Sequence, residues 1–261
     1  MMTEEQKYLF DLQGWLLVPE VLSAGELTVL NQELDRLLDT PADRFPGSSS
    51  KHENCADSSV NGTDTEIFCI TECGPAFEAL IDHPNVMPYM HEMINHRTLR
   101  MTHAYAIARY GGDATTLHRG RIPVAGQCQF RFENGQFHCN MIKVVFCLTD
   151  LEAGDGGFSV ISGSHKSNFK CFYFDKHDTG RNYHPDDVPV LTELTARRGD
   201  IIIFSEDLTH GARTNRSGKE RRNVYYSYQP SYMPDWMAAP SEVLLARLTP
   251  EQRALMEPPH Y

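Results

Sequence analysis

The sequence predicts an all-β core with flanking helices, arranged as an antiparallel, cupin-like jelly roll. Three observations lead there. Helical periodicity is confined to residues 1–98 and to a short tail at 231–261. Between them, from Leu99 to Tyr228, short β-branched and aromatic runs are separated by turn residues, the pattern of about eight antiparallel strands. Within that stretch Glu133-Asn134-Gly135-Gln136 carries Asn-Gly, the pair that accepts positive φ at both centres of a tight hairpin. The expectation is a single domain of 261 residues with its jelly-roll core at about 99–230.

Taken in order, Thr3 and Gln6 form a capping-box signature for a helix reaching about Leu12, and Gly14-Trp15-Leu16-Leu17-Val18-Pro19 reads as a first strand. Ser23 and Glu26 repeat the cap. Leu27, Leu30, Leu34, Leu37 and Leu38 then recur at the spacing of an amphipathic helix that covers a sheet and ends before Pro41. Residues 41–65 are rich in Pro, Ser, Asn, Asp and Gly, and read as a long, mobile loop whose tightest turn is Val60-Asn61-Gly62-Thr63. Helical segments follow at 77–81 and 86–94, separated by Asp82-His83-Pro84. Strands are expected at 99–108, 127–132, 137–148, 158–161, 188–194, 201–204 and 223–228, and short surface helices near Ser241–Leu245 and Thr249–Gln252.

Composition bounds the function. A formal charge of −11 without Lys/Arg clusters argues against nucleic acid and anionic membranes and for a small-molecule substrate. No apolar run approaches membrane-spanning length, and Met1-Met2-Thr3-Glu4-Glu5 lacks signal-peptide order, so a soluble cytoplasmic protein is expected. Seven scattered cysteines without a Cys-x-x-Cys pair read as reduced thiols.

The chemistry concentrates late in the chain. Gly199-Asp200 opens the β-branched run Ile201-Ile202-Ile203-Phe204, His210 follows the next turn, and Arg221 lies eleven residues beyond on a further strand. A neutral imidazole at a strand end suits a first-row divalent metal, and an Arg beside it offers a bidentate fork to a carboxylate. His118, in Leu117-His118-Arg119-Gly120, lies 92 residues before His210 on a strand that a jelly roll can make its neighbour. Two imidazoles with an Arg beyond the second point to a metal and an organic acid.

The chain also resembles a known family over roughly residues 8–230. The matching pieces are the opening Phe10-Asp11-Leu12-Gln13-Gly14-Trp15, the segment Leu148-Thr149-Asp150 with Gly156-Gly157-Phe158 through Gly163-Ser164-His165-Lys166, and Gly199-Asp200 with His210-Gly211, Asn215 and Arg221. These are similar to the phytanoyl-CoA dioxygenase family of iron(II)/2-oxoglutarate oxygenases. The resemblance implies a double-stranded β-helix, iron(II) held by His118 and His210, O2 as co-substrate, and 2-oxoglutarate anchored by Arg221, with Arg222 as the competing anchor. His165 matches a structural motif and is not expected to bind metal.

One position departs from the family. Its first motif is His-x-Asp, whereas residue 120 is Gly, so the carboxylate of the two-His-one-carboxylate triad is missing. His184-Pro185-Asp186 has the spelling but comes in the wrong strand order; Asp113, Glu133 and Asp155 are other acids that spacing does not separate. The leading expectation is an oxidoreductase that hydroxylates a C–H bond, releasing succinate and CO2. The alternatives are an iron/2-oxoglutarate halogenase taking chloride at the position Gly120 leaves open, a two-His metal enzyme of another class such as an isomerase, and a non-catalytic cupin-like binding protein. Phe130, Arg131, Phe132, His138 and Lys143 are candidates for the barrel mouth. Arg109, Arg119, Arg121 and Arg131 hint at an anionic or polar substrate.

Overall fold

The computed structural model describes residues 1–53, 64–120, 126–169, 171–175, 181–234 and 238–260. Its strands are β1 (Trp15–Val18), β2 (Ser50–Glu53), β3 (Asp64–Phe68), β4 (Leu99–Arg109), β5 (Thr115–His118), β6 (Phe132–Glu133), β7 (Gln136–Phe137), β8 (Ile142–Cys147), β9 (Phe158–Val160), β10 (Phe174–Asp175), β11 (Arg181–Asn182), β12 (Thr192–Glu193), β13 (Ile201–Ser205), β14 (His210–Ala212) and β15 (Arg221–Pro230). The helices are α1 (Glu4–Gln13), α2 (Ala24–Asp39), α3 (Pro75–Glu78), α4 (Met87–Ile94), α5 (Glu242–Arg247) and α6 (Pro250–Leu255).

Two antiparallel sheets face one another. The larger runs β1-β13-β8-β15-β4-β3-β2, and the smaller runs β12-β9-β14-β5. This is the helix-backed jelly roll that the sequence predicts. The central strands β8, β13 and β15 are buried along their whole length because they are covered on both faces. Val144, Phe146, Ile201, Ile203, Val224 and Tyr226 pack outward against the helices, beside Leu30, Leu34 and Phe77. Their neighbours Val145, Cys147, Ile202, Phe204 and Tyr225 pack inward against Phe158 and Val160 of the smaller sheet. Double burial explains why these strands read as continuous apolar runs, since neither face has to be polar.

The aromatic run of β15 also ties the helical layer to the sheet. Tyr226 and Tyr228 donate their hydroxyls to the carbonyls of Phe77 and Ile81, at 2.5 and 2.9 Å, satisfying polar groups that burial would otherwise leave costly. The capping boxes at Thr3 and Ser23 both form, as does a third at Thr249. The hairpin at Asn134-Gly135 forms with φ of 53° and 81°, joining β6 to β7.

Several expectations need correction. The segment read as a mobile loop from residue 41 contains a 3-10 turn at Ala42–Arg44 and the strands β2 and β3, which extend the larger sheet at its edge. Ser50-Lys51-His52-Glu53 has no apolar alternation because an edge strand can leave its side chains in water, so the helical N-terminal region in fact supplies three strands. The turn placed at Val60–Thr63 lies outside the described residues. Residues 127–132 form a 3-10 turn, Gly126–Cys128, and join a sheet only at Phe132. The long strand expected over 137–148 breaks into β7 and β8, and that over 188–194 shrinks to β12. The C-terminal helices are more than surface, for they seat Leu244 and Leu255 in the core. Among the described residues, six cysteines are free and no helix is long and apolar enough to cross a membrane.

His165 is structural, as expected. Its ring packs against Phe130 with centroids 4.5 Å apart, and its Nε2 lies 3.1 Å from the carbonyl of Asp11. It occupies the space beside Gly14, which ends α1 at φ +82°; a Cβ there would stand 2.3 Å from His165 Nδ1. Burial lowers the His165 pKa to about 4, so the folded state resists a proton that the unfolded chain accepts near 6.5. The unfolded state therefore binds more protons between those values, and this contribution to stability is lost as pH falls through that window. Urea unfolding at pH 7, 6 and 5 should show stability falling by up to about 1.4 kcal/mol per pH unit from this group. His165→Gln should fall less steeply.

Candidate active site

The smaller sheet builds the site. On β5, alternation sends Leu117 outward to Val188 and Leu191, leaving Thr116 and His118 on the opposite face. Antiparallel pairing with β14 then sets His118 directly opposite His210. The two rings meet edge to face with centroids 4.2 Å apart. Phe204 at 4.8 Å and Phe158 at 5.4 Å wall His210 in.

Both imidazoles are held in the same way. His118 Nδ1 contacts the carbonyl of Thr116 at 2.9 Å, and His210 Nδ1 that of Leu208 at 2.7 Å. A carbonyl can only accept, so each Nδ1 carries the hydrogen and each Nε2 presents a lone pair, the tautomer a metal ligand requires. Burial lowers both pKa values. The shift is larger for His210, which the neighbouring His118 also opposes, whereas at His118 the carbonyl of Thr116 and the charge of Glu206 act against desolvation. The pair is thus neutral and ready to ligate at neutral pH.

Arg221 lines the same small cavity, with Tyr105, Ile107, Thr115, Phe204 and Tyr225. Its guanidinium is buried, and burial followed by the charge of Arg109 lowers its pKa to about 10, so it stays cationic. Among the described residues it has no ion pair or hydrogen bond. A buried, unpartnered guanidinium is expensive unless a ligand carboxylate completes it. Arg222 points to the helical side instead, where it pairs with Asp35 at 2.7 Å and Glu220 at 2.6 Å. Arg109 pairs with Asp64 at 2.8 Å.

No third acid joins the histidines: the described residues contain no group of three His, Cys, Asp or Glu side chains able to hold a metal. Asp113 binds His184 at 2.6 Å and Glu133 pairs with Arg131 at 3.1 Å. Asp155 caps the backbone NH of Glu152, and Asp186 pairs with Arg216. A Cβ at residue 120 would lie 2.4 Å from Cys128 Cβ and 2.6 Å from its Sγ, so glycine there is a packing requirement against the Gly126–Cys128 turn.

The mouth residues separate as well. Of the five candidates, Lys143 faces inward and pairs with Glu206 at 3.0 Å. Phe130 packs on Phe10 and His165, Phe132 is exposed, Arg131 sits on the hairpin, and His138 is half-buried with its backbone NH donating to the carbonyl of Arg131. Arg119 is neutralised by Asp207 at 2.8 Å, which removes the hint of an anionic substrate from that residue, while Arg121 lies outside the described residues. Sequence reasoning passed over Tyr105, Tyr225 and Glu206; the one available signal was the acid pair Glu206-Asp207 immediately after a fully buried strand.

A jelly roll with two neutral imidazoles and an unpaired buried Arg defines the class of iron- and 2-oxoglutarate-dependent oxygenases. Comparison with known proteins agrees. The phytanoyl-CoA dioxygenase family model matches residues 10–223, and the chain belongs to that family, which uses iron(II), 2-oxoglutarate and O2. A curated relative, ectoine dioxygenase of Stutzerimonas stutzeri (strain A1501), is 23% identical over 248 residues, 84% of this chain and 74% of its own. The crystal structure of HygX from Streptomyces hygroscopicus with nickel and 2-oxoglutarate bound superposes with a TM-score of 0.74 at 24% identity, covering 94% of each chain. The epimerase SnoN from nogalamycin biosynthesis gives 0.64 at 17% identity, over 88% of this chain and 83% of its own.

The contact at Gly120 generates a stability prediction. Gly120→Ala should lose roughly 1–3 kcal/mol of unfolding free energy through overpacking, and Cys128→Gly in the same chain should recover part of it. Chemical denaturation of the two single variants and the double variant measures the coupling; strict additivity would contradict the packing account.

Proposed function

We propose that this chain hydroxylates a C–H bond of a small molecule, consuming O2 and 2-oxoglutarate and releasing succinate and CO2. The observation that carries the reading is the unpartnered Arg221 guanidinium facing the same cavity as two imidazoles whose Nδ1 atoms are already tied to backbone carbonyls. His118 and His210 would hold iron(II) through Nε2, with water and 2-oxoglutarate supplying the remaining donors. Iron, once bound, contributes the activation of O2 that the protein's own groups cannot perform.

The chain's residues do the rest. Arg221 binds the far carboxylate of 2-oxoglutarate, fixing its orientation through two parallel hydrogen bonds. Tyr105 and Tyr225 stack at 4.6 Å, nearly parallel, and with Phe204 wall the cavity against water. The Nδ1 contacts keep each imidazole from turning away when the metal is absent. A pure binding module would not need a cation held at such desolvation cost beside a metal site.

Anaerobic addition of iron(II) and then 2-oxoglutarate should produce the weak visible charge-transfer band of the chelate. Arg221→Ala should retain iron and weaken 2-oxoglutarate by roughly 3–5 kcal/mol, the scale for removing one partner of a buried charged pair. Arg222→Ala should leave 2-oxoglutarate affinity nearly unchanged. A larger loss from Arg222→Ala would shift the anchor by one residue, and His118→Ala or His210→Ala with full iron occupancy would remove the metal assignment.

A further inference from the structure

Cross-strand pairing places Phe204, Lys143, Ser227 and His103 side by side on one row across the larger sheet. Directly paired residues project to the same face, and Phe204 contacts His210, so the whole row faces the histidine pair. Arg221 lies on that face too, six residues from Ser227 along β15. The inner face therefore has two ends: a cationic one at Arg221, suited to the co-substrate's carboxylate, and a mixed polar one at Lys143, Ser227 and His103. The second end reaches the cavity through Tyr105, which lines it. Lys143 Nζ lies 5.7 Å from the centre of the Tyr105 ring, and His103 packs on the same ring at 4.5 Å.

This polar end is incompletely satisfied. Ser227 Oγ is fully buried and, among the described residues, has no hydrogen-bond partner. Glu206 is buried, and its Oε2 touches Lys143 Nζ at 3.0 Å without the alignment of a hydrogen bond. Buried polar groups left in this state in a folded protein ask for an explanation, and a ligand supplies one. The charges here balance: Lys143 against Glu206, Arg119 against Asp207, and His103 kept neutral by burial and by the nearby Lys143. A neutral ligand fits that balance better than an ion. Donors and acceptors stand within one row, and a hydroxyl is the group that both donates and accepts.

We propose that His103, Ser227, Lys143 and Glu206 form the substrate subsite, and that it takes a neutral, polyhydroxylated small molecule, sugar- or cyclitol-like, rather than an acyl thioester of coenzyme A. The inference rests on the reading of His118, His210 and Arg221 given above. A coenzyme A thioester brings several phosphate charges and an apolar chain. The cations of this region are already paired, and an apolar chain would supply neither Ser227 Oγ nor Glu206 Oε2 with the hydrogen bond each lacks among the described residues.

Calorimetric titration of the anaerobic protein, loaded with iron(II) and 2-oxoglutarate, tests this with myo-inositol and octanoyl-CoA as probes. Saturable myo-inositol binding is expected, weakened roughly fivefold or more in both Ser227→Ala and Glu206→Gln, as for loss of one hydrogen bond to a buried partner. Ser227→Ala should keep its melting temperature, because the hydroxyl it loses has no partner within the protein. Saturable binding of octanoyl-CoA with none of myo-inositol would overturn the proposal, as would myo-inositol affinity unchanged in both variants. Affinity for 2-oxoglutarate is read separately by its charge-transfer band. If that band forms and myo-inositol does not bind, the subsite inference alone fails; if the wild-type protein never forms it, the oxygenase reading fails and takes this inference with it.

Discussion

The site depends on the antiparallel pairing of β5 with β14. That register sets His118 opposite His210 and brings two Nε2 lone pairs to one place. Because strand side chains alternate, a slip of one residue would turn His118 outward and put Leu117 in its place. Leu117 resists the slip by packing with Val188 and Leu191 on the outer face, and β9 holds β14 from the other side. Beneath them the larger sheet is rigid for a different reason: its central strands are buried on both faces, so Arg221 and Tyr225 are carried on a support that cannot relax toward solvent.

That difference between the two sheets governs what the sequence makes legible. Ile201-Ile202-Ile203-Phe204 and Val144-Val145-Phe146 announce themselves because both faces of their strands are apolar. The short strands of the smaller sheet carry few such signals, and the edge strand β2 carries none, while β3 inside it buries only Ile67 and Asp64 among polar neighbours. His118 and His210 stand out from strand patterning and spacing as well as from motif resemblance. Their pairing, tautomers and surroundings came only with register. Arg221 and Arg222 are adjacent in sequence and opposite in fate, one in the cavity and one bound to Asp35 and Glu220, a distinction that strand phase decides and composition does not.

Gly120 teaches the same lesson from the other direction. The missing carboxylate is visible in the sequence; that any Cβ at residue 120 would meet Cys128, eight residues on, is not. The arginines near the first motif are a parallel case: Arg109 and Arg119 are spent on Asp64 and Asp207, partners distant in sequence and close in the fold.

In the proposed site, two imidazoles and no protein carboxylate hold the metal while Arg221 holds the co-substrate. A crystal structure of the protein grown anaerobically with iron(II) and 2-oxoglutarate decides this. The expected density shows a metal bound to His118 Nε2 and His210 Nε2, no Asp or Glu oxygen within coordination distance, and the far carboxylate of 2-oxoglutarate on the Arg221 guanidinium. An Asp or Glu side chain in the coordination sphere, or a carboxylate seated on Arg222, would contradict it.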